Sequence, residues 1–341
     1  MSKSQIPRVT IKDVALQAGV SKTTVSRYLA GNYNELAPKT KKRIEDTIAA
    51  LNYRPNVMAR GLKRNTSHLI GMVVADITNP YTTAIIRGAE DICNQNGYNL
   101  LVCNTDNDPQ KESDYISMLQ AHRIDGLIIN TTGRNNEALK SLALENIPVV
   151  LVDRKVKGLD FDMIGVDNHS AVKEAMHHLI DQDFERIAFF TEPIEGVSSR
   201  KERSAAFEQS LRKHNHASWE EIYEVDLAKE DELMTKLSHF LESSKNQSKA
   251  IFAANGVVLL QIVVAIQNLK LSIPDDIALL GFDDPEWAIA VGTGISAIAQ
   301  PTYEIGVAAM EKILSKVKGS NMLPQTIAFT AKLNIRGSTQ K

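Results

Sequence analysis

The chain has 341 residues and a nearly balanced charge, 39 Lys+Arg against 41 Asp+Glu, so its net of −2 by itself neither implies nor excludes a polyanionic partner. A hydrophobic share of 43% with no apolar run near the ~18 residues of a membrane span describes a globular chain of two or three domains. Two cysteines, Cys93 and Cys103, and a first segment with Lys and Pro but no apolar stretch predict a cytoplasmic protein without signal peptide or structural disulfide.

The first predicted elements are two short helices. Thr10 followed three residues later by Asp13 is a capping box, and Ile11, Val14, Ala15 and Ala18 then form one apolar helical stripe. Gly19 ends that helix, because a left-handed residue strains glycine least. Ser21 is a good N-cap for a second helix, in which Val25 and Leu29 face back onto the first. Ala15 is small where the two must approach, and the whole reads as a helix-turn-helix. The outer face of the second helix carries Lys22, Thr23, Ser26 and Arg27, the hydrogen-bonding and cationic side chains that suit a major groove, and Thr10 and Thr24 stand at the two helix starts. Pro38 fits the first position of a third helix running to Leu51, with Ile44, Ile48 and Leu51 as its core stripe and Ala37 as a weak N-cap.

Charge is unevenly distributed. Residues 1–64 hold 13 Lys+Arg against 4 Asp+Glu, and the rest hold 26 against 37. A basic head on an acidic body is the footprint of a phosphate-binding module.

With Tyr53-Arg54-Pro55-Asn56 and the Ala59-Arg60-Gly61-Leu62 hinge, added to D-V-A-x-x-A-G-V-S-x-x-T-V-S-R at 13–27, the chain resembles the LacI/GalR (lactose-repressor) family of transcriptional regulators. The match runs on to Leu333-Asn334-Ile335-Arg336-Gly337-Ser338-Thr339. Alanine at position 37 departs from the serine usual in that family. A segment as short as 56–63 is not a stable helix by itself. The resemblance implies that it orders when two copies meet over DNA, with Leu62 wedged into the minor groove and Asn56, Arg60 and Lys63 adding groove and phosphate contacts.

From His68 the texture changes to strand-like runs at 69–74, 99–103, 126–129, 148–152, 163–166, 187–190, 250–253 and 277–280. Helical stretches at 83–95, 110–122, 168–181, 201–214 and 255–269 lie between them. Strands alternating with helices predict doubly wound parallel α/β sheets. The expected organisation is an all-α head over 1–54, a hinge over 55–65 and an effector-binding and dimerisation domain over 66–341. The resemblance implies that this last part is a two-lobed periplasmic-binding-protein-like core. Its first lobe is expected at about 66–160 and 292–324, its second at about 161–291 and 325–341, with crossovers near 160, 292 and 324.

A ligand in such a fold sits at the carboxyl ends of the strands. The loops there offer Asp76, Asn79 and Tyr81, then Asn104, then Thr131, then Arg154. Across the cleft they offer Asp167, Arg200, Arg203, Asn255, Asp283 and Trp287. Carboxylates and amides accept from and donate to hydroxyls, and rings stack on sugar faces, so the expected effector is a sugar. The resemblance places Arg203 and Asp283 among the family's effector contacts. Where the family usually has Asn-Asp, this chain reads Asn255-Gly256 while keeping three arginines. Arginine holds a carboxylate through two parallel hydrogen bonds. A sugar acid is therefore favoured over a neutral sugar, and the same stretch is similar to the subgroup that regulates 2-keto-3-deoxygluconate use.

Enzyme chemistry finds little footing. Gly292-Thr293-Gly294-Ile295-Ser296-Ala297 matches G-x-G-x-x-A but precedes a strand-like run instead of opening a helix, so it reads as a loop. The eight histidines show no metal-ligand spacing, and neither Ser198 nor Ser199 sits in a G-x-S-x-G turn. No catalytic residue, cofactor or metal is expected. An exported solute-binding protein would share the core but lack residues 1–64. The expected partners are a pseudo-palindromic operator, a small sugar-type effector and a second copy of the chain, one head for each half-site.

Overall fold

Thr10 begins the first helix in the manner its sequence requires. The Asp13 carboxylate accepts the Thr10 backbone N–H at 2.8 Å and its hydroxyl at 2.7 Å, and these bonds hold Asp13 below the usual carboxylate range. In this computed structural model, which describes residues 9–54, 66–213, 221–229 and 231–341, the chain divides into two units, Met1–Ser67 and His68–Lys341.

The first unit holds α1 (Ile11–Gln17), α2 (Lys22–Leu29), a short 3-10 turn at Tyr33–Glu35 and α3 (Pro38–Ala50). Gly19 turns the chain at φ +58, and Ser21 Oγ accepts the Thr24 N–H at 3.1 Å to cap α2. Val14, Ala18, Val25 and Ile44 are fully buried where the three helices meet, with Leu29, Ile48 and Leu51 packed around them. Ala37 caps nothing with its side chain, yet α3 starts on time because Pro38 fixes its own φ and has no N–H to satisfy. The hinge residues Asn56, Arg60, Leu62 and Lys63 lie outside the described residues.

The second unit is built from two six-stranded sheets. The first has the order β11-β5-β4-β3-β1-β2 and is parallel throughout. Its strands are β1 (Leu69–Val74), β2 (Asn99–Asn104), β3 (Gly126–Ile129), β4 (Val149–Val152), β5 (Asp162–Val166) and β11 (Thr326–Phe329). The second has the order β12-β10-β9-β8-β6-β7, with only β12 antiparallel. It comprises β6 (Arg186–Thr191), β7 (Ile222–Glu224), β8 (Lys249–Ala253), β9 (Ala278–Phe282), β10 (Ser296–Ala299) and β12 (Lys332–Asn334). The expected α/β fold class is thus present in both lobes.

Near-continuous apolar strands such as Leu69-Ile70-Gly71-Met72-Val73-Val74 require cover on both faces, and helices supply it. The first sheet is covered on one face by α4 (Pro80–Gln95) and α11 (Thr302–Val317), on the other by α5 (Pro109–Ala121) and α6 (Asn136–Leu144). The second is covered by α7 (Asn168–Asp181) and α8 (Ser198–Lys213) on one face, and by α9 (Glu232–Ser243) and α10 (Gly256–Asn268) on the other. α4 and α11 touch backbone to backbone. A Cβ on Gly306 would lie 2.1 Å from the Ile85 carbonyl oxygen, and one on Gly88 would lie 2.1 Å from that of Tyr303. Cys93 and Cys103 are free and buried in this lobe, and burial pushes the Cys93 thiol up to about 11.

The chain passes between the lobes later than the sequence suggested. β5 belongs to the first sheet, so the first passage follows Val166; the second lies between β10 and α11, and the third between β11 and β12. Strand texture alone does not say which sheet a strand joins, and each expected crossover fell one strand early. Gly292–Ala297 is a loop running into β10, with Gly292 and Gly294 at positive φ.

Candidate functional site

In both sheets the second strand in sequence lies to one side of the first and the third to the other. Loops leaving the first and third strands therefore diverge, and this opens a crevice at their carboxyl ends. β1 and β3 make that switch point in the first lobe, β6 and β8 in the second, and the two crevices face each other across one cleft. The cavity between them, about 80 Å³, is lined from one side by Asp76, Asn79, Tyr81, Asn107, Asn130, Asp153 and Arg154. Glu192, Ser199, Arg200, Arg203, Asn255, Asp283 and Gln300 line the other.

Local structure fixes each side chain. Asn79 and Asn255 are N-caps of α4 and α10: Asn79 Oδ1 accepts Tyr81 N–H at 3.0 Å, and Asn255 Oδ1 accepts Val257 and Val258 N–H at 3.0 and 2.9 Å. Asp153 and Asp283 both sit at positive φ, +64 and +78, where the backbone turns sharply after β4 and β9. Arg203 lies over the Phe282 ring at 3.6 Å and donates to Asn168 Oδ1 and the Ala254 carbonyl, each at 2.8 Å.

The three arginines are not equivalent. Arg203 faces Asp153 at 3.6 Å and Arg200 pairs with Glu192 at 2.7 Å. Arg154 donates through Nη1 to Asn107 Oδ1 at 3.0 Å and the Thr131 carbonyl at 3.1 Å, while its buried Nε makes no hydrogen bond and lies 3.7 Å from Asp153 Oδ2. The expectation of three arginines ready for a ligand anion changes accordingly: Glu192 stands opposite Arg200, and Asp153 stands opposite both Arg203 and Arg154.

Three further buried atoms lining the same cavity lack a partner: Tyr81 Oη, Asn130 Oδ1 and Gln300 Oε1. Their amide orientations are set by their other ends. Asn130 Nδ2 donates to the Val152 carbonyl and Asp153, and Gln300 Nε2 to Asp283 Oδ1 at 2.5 Å, which leaves both oxygens as acceptors. Burial, with Asp153 and Asp283 close by, pushes the Tyr81 hydroxyl well above its usual range, so it stays a donor. Asp283 is pushed up by the same burial. Gly256 donates its N–H to Asp283 Oδ2 at 3.1 Å.

Of the expected effector residues, the fold brings Asp76, Asn79, Tyr81, Arg154, Arg200, Arg203, Asn255 and Asp283 to this cavity. Three others do other work. Asn104 accepts Ile77 N–H at 3.0 Å and secures the loop after β1; Thr131 is fully buried and donates to Glu112; Asp167 caps α7 through Ser170. Trp287 packs against the second lobe and lines an adjoining hollow of about 670 Å³, which shares Asn79, Tyr81, Asp283 and Gln300 with the central cavity. Loop polar residues favour turns and caps whether or not they meet a ligand, which is why sequence does not separate Asn104, Thr131 and Asp167 from the rest. Glu192, Ser199 and Gln300 also line the cavity and are not among the residues expected from sequence. Ser199 donates to Asp153 at 3.2 Å across the cleft, and its one visible signal was a place at the start of α8.

On the head, Lys22, Thr23 and Arg27 are exposed along α2 and Ser26 is half-buried. Thr24 bonds the Ser21 hydroxyl at 2.8 Å and Thr10 is tied to Asp13, so both are occupied by capping. Arg27 Nε pairs with Glu35 at 3.2 Å.

Among the described residues no group of three or more His, Cys, Asp or Glu could hold a metal ion, and no helix is long and apolar enough to cross a membrane.

Known proteins fit this geometry. Residues 10–56 match the model of bacterial regulatory proteins of the lacI family, and residues 176–339 match that of the periplasmic binding protein-like domain. The chain is 43% identical over 338 residues to the HTH-type transcriptional regulator KdgR of Bacillus subtilis, covering 99% of this chain and 100% of that one. It is 44% identical over 333 residues to the regulator PtxS of Pseudomonas putida, covering 98% and 96%. A crystal structure of the lac repressor dimer bound to operator and the anti-inducer ONPF shares the fold, with a TM-score of 0.83 at 24% identity over 98% of this chain and all of that one. Identity at this level along the whole length, with the helix-turn-helix and the two-lobed core both present, assigns this chain to the LacI family of transcriptional regulators.

Proposed function

We propose that the chain is a non-enzymatic repressor of a carbohydrate-use operon, binding its operator as a dimer and controlled by a sugar acid of the 2-keto-3-deoxygluconate type held between the lobes. The observation that carries the effector class is the set of unpartnered atoms around one cavity. Tyr81 Oη and Arg154 Nε, the latter 3.7 Å from Asp153 Oδ2 without a hydrogen bond, are donors; Asn130 Oδ1 and Gln300 Oε1 are acceptors. Buried polar groups without partners are expensive, so a ligand that offers acceptors to the first pair and donors to the second is favoured. A polyhydroxylated acid does both, its carboxylate on Arg154 and its hydroxyls on the amide oxygens. The 43% identity to KdgR supports the same class.

On the DNA side, Lys22, Thr23, Ser26 and Arg27 would read base edges, and Asn56, Arg60, Leu62 and Lys63 would act in the minor groove. Each half of a two-fold operator takes one head. Effector changes DNA affinity only by as much as its own affinity differs between the DNA-bound and free conformations.

The test is thermal unfolding of the full chain against sugars, sugar phosphates and sugar acids. A ligand at 100 times its Kd stabilises the chain by ~2.7 kcal/mol, a readily measured rise in Tm. A rise with 2-keto-3-deoxygluconate or a related aldonate, and a matching change in operator affinity, is expected. A rise with neutral sugars alone would discard the acid and keep the repressor.

A further inference from the structure

Directly behind Arg154 sits a carboxylate that does not line the cavity. Glu112, in the first turn of α5, is fully buried. Four donors converge on its two oxygens: Thr131 Oγ1 at 3.0 Å, Thr132 Oγ1 at 3.2 Å, the Thr132 N–H at 2.6 Å and Asn135 Nδ2 at 3.2 Å. The Thr131 hydroxyl accepts the Gly133 N–H at 3.1 Å, and the Thr131 carbonyl accepts Arg154 Nη1 at 3.1 Å. The turn after β3 is therefore pinned from beneath by one acid, and the same turn holds the guanidinium above it.

A carboxylate suits this place because it only accepts, and every partner facing it donates. An amide of the same shape would turn one of its own donors against a donor. Burying an acid costs free energy unless it is hydrogen-bonded, and packing α5 on the sheet needs no polar group at this position. What the network accomplishes is a fixed carbonyl beneath Arg154.

We propose that Glu112 is a positioning residue for the ligand's carboxylate: through Thr131 it orients the Arg154 guanidinium, whose Nε makes no hydrogen bond and lies 3.7 Å from Asp153 Oδ2, for pairing with the anion. The proposal rests on the sugar-acid reading of the cleft. It predicts that Glu112 governs the preference for an anionic ligand over a neutral ligand of the same shape, without touching either.

The experiment uses the full chain and two probes, 2-keto-3-deoxygluconate and its C1 carboxamide, with Kd read by calorimetry. Wild type prefers the acid. Glu112→Gln lowers that preference about tenfold and leaves the carboxamide Kd nearly unchanged, the size of coupling seen between networked neighbours. Arg154→Met abolishes the preference, and adding Glu112→Gln to it changes nothing further. Should Glu112→Gln not fold, Thr131→Val, which removes one donor and keeps volume, lowers the preference about threefold by the same coupling. Equal weakening of acid and carboxamide in the variants, or an unchanged ratio, overturns the proposal and leaves Glu112 a structural acid. A wild-type chain that binds both probes equally overturns instead the sugar-acid reading on which it stands.

Discussion

Gly133 of the first lobe and Gly196 of the second meet backbone to backbone across the cleft: a Cβ built on Gly133 would lie 2.1 Å from the Gly196 carbonyl oxygen. Around this contact Lys155 donates its N–H to Ser198 Oγ at 2.7 Å and its Nζ to Glu202 at 3.0 Å. A contact this close leaves no room for a side chain on Gly133. Gly133→Ala adds the offending methyl at a position with φ +76, which a side chain also strains. Effector affinity is expected to fall by tenfold or more, an effect of about 1.4 kcal/mol or above. Stability without ligand should fall only by the ~1 kcal/mol of the backbone penalty. Calorimetric titration together with urea unfolding separates the two; an unchanged Kd would show that the lobes bind ligand without this approach.

A different glycine pair governs stability. Gly306→Ala would drive a methyl to 2.1 Å from the Ile85 carbonyl and push α11 off α4. The first lobe is expected to lose about 1–3 kcal/mol, the usual cost of overpacking, seen as a lower urea midpoint. An unchanged midpoint would mean that the helices slide apart freely.

Asp283 titrates above its ordinary value because it is buried, so the native chain binds this proton more tightly than the unfolded chain does. The stabilisation from that proton is complete below the unfolded value of 3.8 and is lost as pH rises through the higher folded value. Asp283→Asn has no such proton to lose. Between those two values the stability of wild type should decline with pH relative to the variant, as read by Tm in matched buffers. Parallel curves would place the shift elsewhere.

The ion pair of Arg27 with Glu35 must open if Arg27 is to reach a guanine edge. Both side chains are about half exposed, so opening is inexpensive. Arg27→Ala is expected to cost about 1–3 kcal/mol at one operator base pair and to relax specificity there. Glu35→Gln should strengthen binding slightly at low salt. Competition by mutated operators in a fluorescence-anisotropy assay reads both, and uniform weakening across all sequences would make Arg27 a phosphate contact.

Much of this could be read from the sequence because it is local. Thr10 with Asp13, Ser21, Gly19 and Pro38 set helix ends through their own backbone preferences, and the apolar spacing of Val14, Ala18, Val25 and Ile44 required three helices to share one core. Unbroken apolar strands alternating with helices likewise required covered parallel sheets, and the charge step at residue 64 marked the head as basic. Tertiary structure decided what sequence distance hides. Only the strand order shows that β5 joins the first sheet and β10 the second, and that both switch points face one cavity. Only three-dimensional pairing shows that Glu192 faces Arg200 and Asp153 faces both Arg203 and Arg154, and that Glu112 reaches Arg154 through Thr131. Caps and stripes act over three or four residues of chain, whereas a hydrogen bond spanning 20 or 40 residues depends on where the sheets bring their loops.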